Sequence, residues 1–179
     1  MKTTQILIAG FGGQGILFAG KFLAYKGLTE DKQVSWLPSY GPEMRGGTAN
    51  CNVILSETPV GSPIITDPDV LIAMNLPSLE KYIDTVVPGG QVYLDSSLIH
   101  YEVKRTDVQV FPIPATAMAK ENNMASLANM ILTGALLQNH PELSFEGTEA
   151  VVQKLVPPTK AALVELNMKA LNLGKEYTA

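Results

Sequence analysis

The run Ser39-Tyr40-Gly41-Pro42-Glu43-Met44-Arg45-Gly46-Gly47 sets a phenol, a carboxylate and a guanidinium among three glycines and a proline. Core packing favours apolar residues, and an ordinary turn needs only one or two punctuators, so neither need produces such a run. A polar, conformationally fixed loop hung from strand ends is a common way to present a binding surface. Arg45 and Tyr40 are the groups suited to an anionic ligand or partner, while Gly46 and Gly47 permit close backbone approach. The alternative is a loop paired within itself, with Glu43 and Arg45 serving only to stiffen it.

A second constellation precedes it. Gly10-Phe11-Gly12-Gly13-Gln14-Gly15 matches G-x-G-x-x-G between a strand and a helix, where free N-terminal amides favour an anion. A dinucleotide site also needs an acid ending the next strand, to hold a ribose hydroxyl. That strand ends Trp36-Leu37-Pro38-Ser39, and Glu30 and Asp31 stand at its wrong end. A tight strand-to-helix turn with close packing therefore competes with any phosphate role. The overlapping Gly15 to Lys21 mimics P-loop spacing, but Phe22 stands where a hydroxyl should meet magnesium, and the intervening residues are apolar and helical. Cys51 reads as a small core residue, and His100 and His140 as surface or capping residues. Asp67 and Asp69 flank Pro68 in a turn whose local hydrogen bonding explains them.

The elements that must position these residues follow from composition and period. The chain has 179 residues, 46% of them hydrophobic and 17% charged, which fits one domain (1–179) with a substantial core. Charge is below the ~25% average, a hint that other subunits cover part of the surface. A formal charge of −4 with no basic tract argues against nucleic acid, and no apolar run suggests a membrane span. One cysteine excludes an internal disulfide and is too few for a cysteine-ligated cluster or zinc site. With no recognisable signal peptide, the expected location is the cytoplasm.

Strand-like runs are expected at 5–10, 33–37 (stopped by Pro38), 48–55, 69–74, 91–94 and 108–111 (ending at Pro112). A helix from about Gly13 to Lys26 should lie close to the sheet at Gly20, and a short one runs through about Asp84. Beyond residue 112 the pattern is helical: Ser126 caps one helix, Pro158-Thr159 opens the last, and Gly174 stops it. Strands alternating with helices imply an α/β fold, a largely parallel sheet flanked by helices with a helical C-terminal third.

Four segments together carry a family resemblance: G-F-G-G-Q-G at 10–15, W-L-P-S-Y-G-P-E-M-R-G-G-T-A-N-C at 36–51, G-S-P at 61–63 and A-M-N-L-P-S at 73–78. In this order and spacing the chain resembles the gamma subunit of 2-oxoacid:ferredoxin oxidoreductases. The likeness is to the branch acting on 2-oxoglutarate or branched-chain 2-oxoacids. The small subunit of indolepyruvate:ferredoxin oxidoreductase shares a similar opening and is one alternative. A stand-alone Rossmann-type nucleotide-binding enzyme is another.

The resemblance implies a complex that oxidatively decarboxylates a 2-oxoacid with coenzyme A, giving acyl-CoA, carbon dioxide and reduced ferredoxin. It implies alpha, beta and ferredoxin-like delta subunits as partners. Thiamine diphosphate with Mg, and the iron–sulfur clusters, are then held by those partners rather than by this chain, and no catalytic residue or metal ligand is expected here. Carried onto this sequence, Gly12, Gly13, Gln14 and Gly15 form a rigid turn near a subunit interface or coenzyme A. Ser39, Tyr40, Gly41, Glu43, Arg45, Gly46, Gly47 and Asn75 face a ligand or the alpha subunit, with Arg45 the anion contact.

Overall fold

An unbroken apolar run, Ile6 to Ala9, builds the first strand, β1 (Thr3–Phe11), in a computed structural model that describes residues 2–39 and 48–177. Ile6 and Ile8 enter one apolar cluster and Leu7 the other, so the strand is buried on both faces and must be central. The six-stranded sheet runs β2 (Gln33–Ser39), β3 (Thr48–Ser56), β1, β4 (Val70–Ala73), β5 (Gln91–Asp95), β6 (Gln109–Ile113). β1, β4, β5 and β6 are parallel. β2 and β3 form an antiparallel pair whose inner member, β3, also lies antiparallel to β1.

The helices divide unequally between the faces. Residues of α1 (Ile16–Thr29), α3 (Ala115–Glu121), α4 (Ala128–Asn139), α5 (Thr148–Leu155) and α6 (Ala162–Glu176) share one cluster with Ile6 and Ile8. On the opposite face, α2 (Leu76–Tyr82) contributes Leu79, packed with Leu7, Leu71 and Val92. This is the expected α/β class with a helical final third. Gly20 has the expected role: a Cβ there would collide with Cys51 Sγ, so glycine lets α1 lie directly on β3.

Several local expectations need correction. Pro38 and Pro112 lie inside β2 and β6 rather than ending them; both are edge strands, where proline is tolerated. α1 opens at Ile16, because Gly13 (φ 93) and Gly15 (φ 76) are left-handed and hold the chain in a turn until then. Ser126 caps nothing, since Leu127 occupies the N-cap of α4 and no side chain bonds there. Pro158–Lys160 is a separate 3-10 turn ahead of α6. Gly174 lies within α6: its missing Cβ would overlap the Ile131 carbonyl oxygen, and that of Gly134 the Leu171 carbonyl oxygen, so α4 and α6 cross with their backbones touching.

Candidate functional site

β1 leads into α1 on one face while its parallel neighbour β4 leads into α2 on the other. Divergence of this kind opens a crevice beyond the strand ends, the usual ligand position in open α/β sheets. Here the crevice is spanned by one side chain. Phe11 N–H donates to Gln14 Oε1 at 2.6 Å, and Gln14 Nε2 donates to the Met74 carbonyl at 3.0 Å, tying the end of β1 to the end of β4. A Cβ on Gly10 would stand 2.6 Å from Gln14 Oε1 and 3.0 Å from Met74 Cβ, which explains glycine at that position. Asn129 of α4 fastens the turn from outside, its Nδ2 donating to Gly15 O at 3.0 Å. The glycine pattern thus serves a tight, closely packed turn. Where a dinucleotide pyrophosphate would enter, Gln14 stands instead.

Beside the turn is a cavity of about 300 Å³ whose walls are Phe11, Ile16, Leu17, Phe18, Ala49 and the glycines 12, 13 and 15. No charged side chain is among them. No side chain caps the first turn of α1, so its amides remain available. Asn75, 3% exposed, is the N-cap of α2: its Oδ1 accepts from Ser78 N–H at 2.8 Å. Asn75 Nδ2 and Ser78 Oγ are buried without a hydrogen-bond partner among the described residues. Asn50 Nδ2 donates to Tyr82 Oη at 3.2 Å, joining β3 to α2 at the same end of the sheet. The next strand end is closed: fully buried Asp95 accepts from Thr116 N–H, Thr116 Oγ1–H and Ser97 N–H, a structural cap.

Of the residues expected at the site, Gly12, Gly13, Gln14 and Gly15 form the turn, Asn75 follows the Met74 carbonyl that Gln14 bonds, and Ser39 ends β2 two strands from β1 at the same end of the sheet. Ser39 ends β2 opposite Asn50, and Phe11 is opposite Thr48. Both ends of the intervening segment therefore leave the sheet at the edge that carries the glycine turn. Tyr40, Gly41, Glu43, Arg45, Gly46 and Gly47 lie outside the described residues. Asn129 and the Met74 carbonyl are site elements that sequence reasoning missed; the one available signal was an amide inside the otherwise apolar A-N-M-I-L-T-G-A-L-L run.

The remaining chemistry-bearing residues have structural explanations. Cys51 is fully buried, and burial pushes its thiol up to about 12. His140 Nδ1 accepts from Glu142 N–H at 3.2 Å, and burial lowers its pKa against the opposing pull of Asp69 and Glu142. His100 is exposed. Among the described residues no group of three or more His, Cys, Asp or Glu could hold a metal ion, and no helix is long and apolar enough to cross a membrane.

Residues 5–177 match the family model for pyruvate ferredoxin/flavodoxin oxidoreductase. The chain belongs to this family. It is 37% identical over 177 residues to ketoisovalerate oxidoreductase subunit VorA of Methanothermobacter thermautotrophicus, covering 97% of this chain but 36% of that one. It is 33% identical to 2-oxoglutarate synthase subunit KorC of Methanocaldococcus jannaschii, covering 96% of this chain and 92% of that one. Among solved structures, the gamma subunit of keto/oxoacid ferredoxin oxidoreductase from Geobacter sulfurreducens superposes with a TM-score of 0.81 at 31% identity, covering 97% and 96% of the two chains. The 2-oxoglutarate:ferredoxin oxidoreductase of Magnetococcus marinus, solved with 2-oxoglutarate, coenzyme A and succinyl-CoA bound, gives 0.86 at 26% identity, covering 98% of this chain and 31% of that one. The chain thus spans about a third of the length of VorA and of the Magnetococcus chain.

Proposed function

We propose that this chain is the gamma-type subunit of a complex that oxidatively decarboxylates a 2-oxoacid, of the 2-oxoglutarate or 2-oxoisovalerate type, to the acyl-CoA. The observation that carries the reading is the near-complete two-way match to a free-standing gamma subunit, together with relatives named for those two substrates. Its partners are alpha, beta and delta subunits, ferredoxin takes the electrons, and the complex works in the cytoplasm. Thiamine diphosphate with Mg and the iron–sulfur clusters, held by the partners, supply the carbanion chemistry and electron transfer. The only cysteine, Cys51, is buried behind α1 and is no cluster ligand.

What this chain contributes is binding and shape. In this reading coenzyme A meets the described residues through its neutral arm. The described walls of the cavity of about 300 Å³ carry no charge and suit methylene and amide groups. The diphosphate needs a cation that the described walls lack, and in this reading Arg45 supplies it. Tyr40 and Glu43 then orient the Ser39–Gly47 segment toward coenzyme A or the alpha subunit. Gln14 closing the crevice speaks against the independent nicotinamide-dependent alternative.

The test is Arg45→Ala in the reconstituted complex. Loss of a charge-assisted contact at a desolvated site costs ~2–5 kcal/mol, so the apparent KM for coenzyme A should rise at least ~30-fold, or assembly should fail. Unchanged assembly together with unchanged KM refutes both roles of Arg45. Tight binding of NADH by the isolated chain would refute the subunit reading itself.

A further inference from the structure

β2 is an edge strand, and among the described residues nothing pairs with its outer side. None of its residues is buried, and Trp36 and Leu37 are each 38% exposed. The connection after β3 adds Ile64, 65% exposed. The connection passes close to this strand pair: Leu37 is the register partner of Asn52, whose Nδ2 reaches the backbone carbonyl of Pro63, the residue before Ile64, at 3.5 Å. The elements themselves carry little charge, with no Asp, Glu, Lys or Arg in 33–39, 48–56 or 58–66, and exposed Glu57 standing between β3 and the connection.

A strand edge left open to water invites pairing with other chains, and proteins guard such edges with charge, bulges or covering segments. The other edge, β6, follows Lys104, Arg105 and Asp107 and holds Pro112. β2 has only Pro38. Exposed aromatic and aliphatic groups combined with charge depletion mark the centre of a protein interface, not a solvated surface.

We propose that the β2 edge and the 58–66 connection form the surface on which this chain docks its large partner subunit. The inference rests on the function proposed above and names the face it uses. The occupant is a heterologous polypeptide rather than a second copy. In VorA and the Magnetococcus enzyme this domain is one part of a chain about three times as long, so some two thirds of each lies outside the match and accompanies the domain covalently. The partner segment is uncharged, presents apolar side chains to Ile64 and, on opposite faces of the edge, to Trp36 and Leu37, and offers backbone or amide groups to the free N–H and C=O groups of β2.

The experiment uses the whole complex. The chain is mixed with the cognate alpha- and beta-type subunits as wild type, Leu37→Lys, Ile64→Glu, and a control, Leu163→Lys, at an exposed position on α6 (36% exposed). Each of the first two variants should weaken assembly, read as the dissociation constant, by at least ~10-fold, with the control unchanged. Ile64 lies in a loop and its replacement carries no packing loss, so it keeps the test valid should Leu37→Lys lower the thermal midpoint of the isolated chain. Wild-type affinity in both variants overturns the docking surface while leaving the subunit function standing. So does an isolated-chain dimer that Leu37→Lys splits without affecting hetero-assembly. Failure of the wild-type chain itself to join those subunits overturns the proposed function, and this surface with it.

Discussion

Replacing Gln14 with glutamate removes one hydrogen bond and spares another. The bond from Phe11 N–H to Oε1, 2.6 Å in the native turn, survives. At the other end an Nε2 donor 3.0 Å from the Met74 carbonyl becomes a carboxylate oxygen facing a second acceptor. Met74 is 2% exposed, so water cannot readily take the lost donor's place. One hydrogen bond at ~1 kcal/mol and one buried unsatisfied acceptor at ~1–3 kcal/mol put the cost at ~2–4 kcal/mol. Gln14→Ala removes both bonds, but the space its side chain vacates lets water reach the Met74 carbonyl as well as Phe11, 40% exposed, so it should cost only ~1–2 kcal/mol. When protonated, the introduced carboxyl group regains a donor for the Met74 carbonyl, so its folded pKa lies above the unfolded ~4.3. The deficit relative to wild type is therefore smallest below that value and grows as pH rises through the folded pKa. Urea denaturation followed by Trp36 fluorescence at pH 7.5 and pH 5 measures this. The reasoning fails if Gln14→Glu is no less stable than Gln14→Ala at pH 7.5, or if the gap to wild type does not narrow at pH 5.

Gly174→Ala forces α6 away from the Ile131 carbonyl and should destabilise by about 3 kcal/mol or more, measured by chemical denaturation. Cys51, with its thiol pushed up to about 12, should be inert to an aromatic disulfide reagent at pH 8 until the chain unfolds; stoichiometric labelling of the native protein would contradict its burial. Burial favours neutral His140, so its stability contribution is complete above the unfolded pKa of ~6.5 and is lost as pH falls toward the lower folded value. His140→Gln should accordingly flatten the stability profile between pH 7 and 5, and an unchanged slope would show that another group titrates there.

What was legible in the sequence is what depends on near neighbours. The alternation of β3 put Cys51, Val53 and Leu55 inward, and Gly20 marked the closest approach of helix to sheet, because both follow from local period. The residue types of 39–47 predict a presenting loop that lies outside the described residues; the strands show only that residues 39 and 48 leave the sheet at the same end. Errors arose where a residue answers to a distant partner. Gly174 has the local look of a helix stop, yet its reason is Ile131 on another helix. Asn129 resembles a stray amide until α4 is folded against Gly15. Pro38 and Pro112 look like breakers unless their strands are known to be edges. The turn itself was half read: glycines demanded a tight bend, but nothing local revealed that Gln14 would bridge to Met74.

The clasp from Asn129 to Gly15 spans 114 positions of sequence, and α4 is itself seated by its glycine crossing with α6. During synthesis the glycine turn leaves the ribosome long before the side chain that fastens it. A nascent polypeptide stalled short of α4 displays β1 and the Gln14 bridge but an unclasped Gly15, and one stalled short of α6 has a clasp with no seat. The shaped surface therefore becomes available only after translation has passed residue 174, so that completion of the site reports completion of the fold.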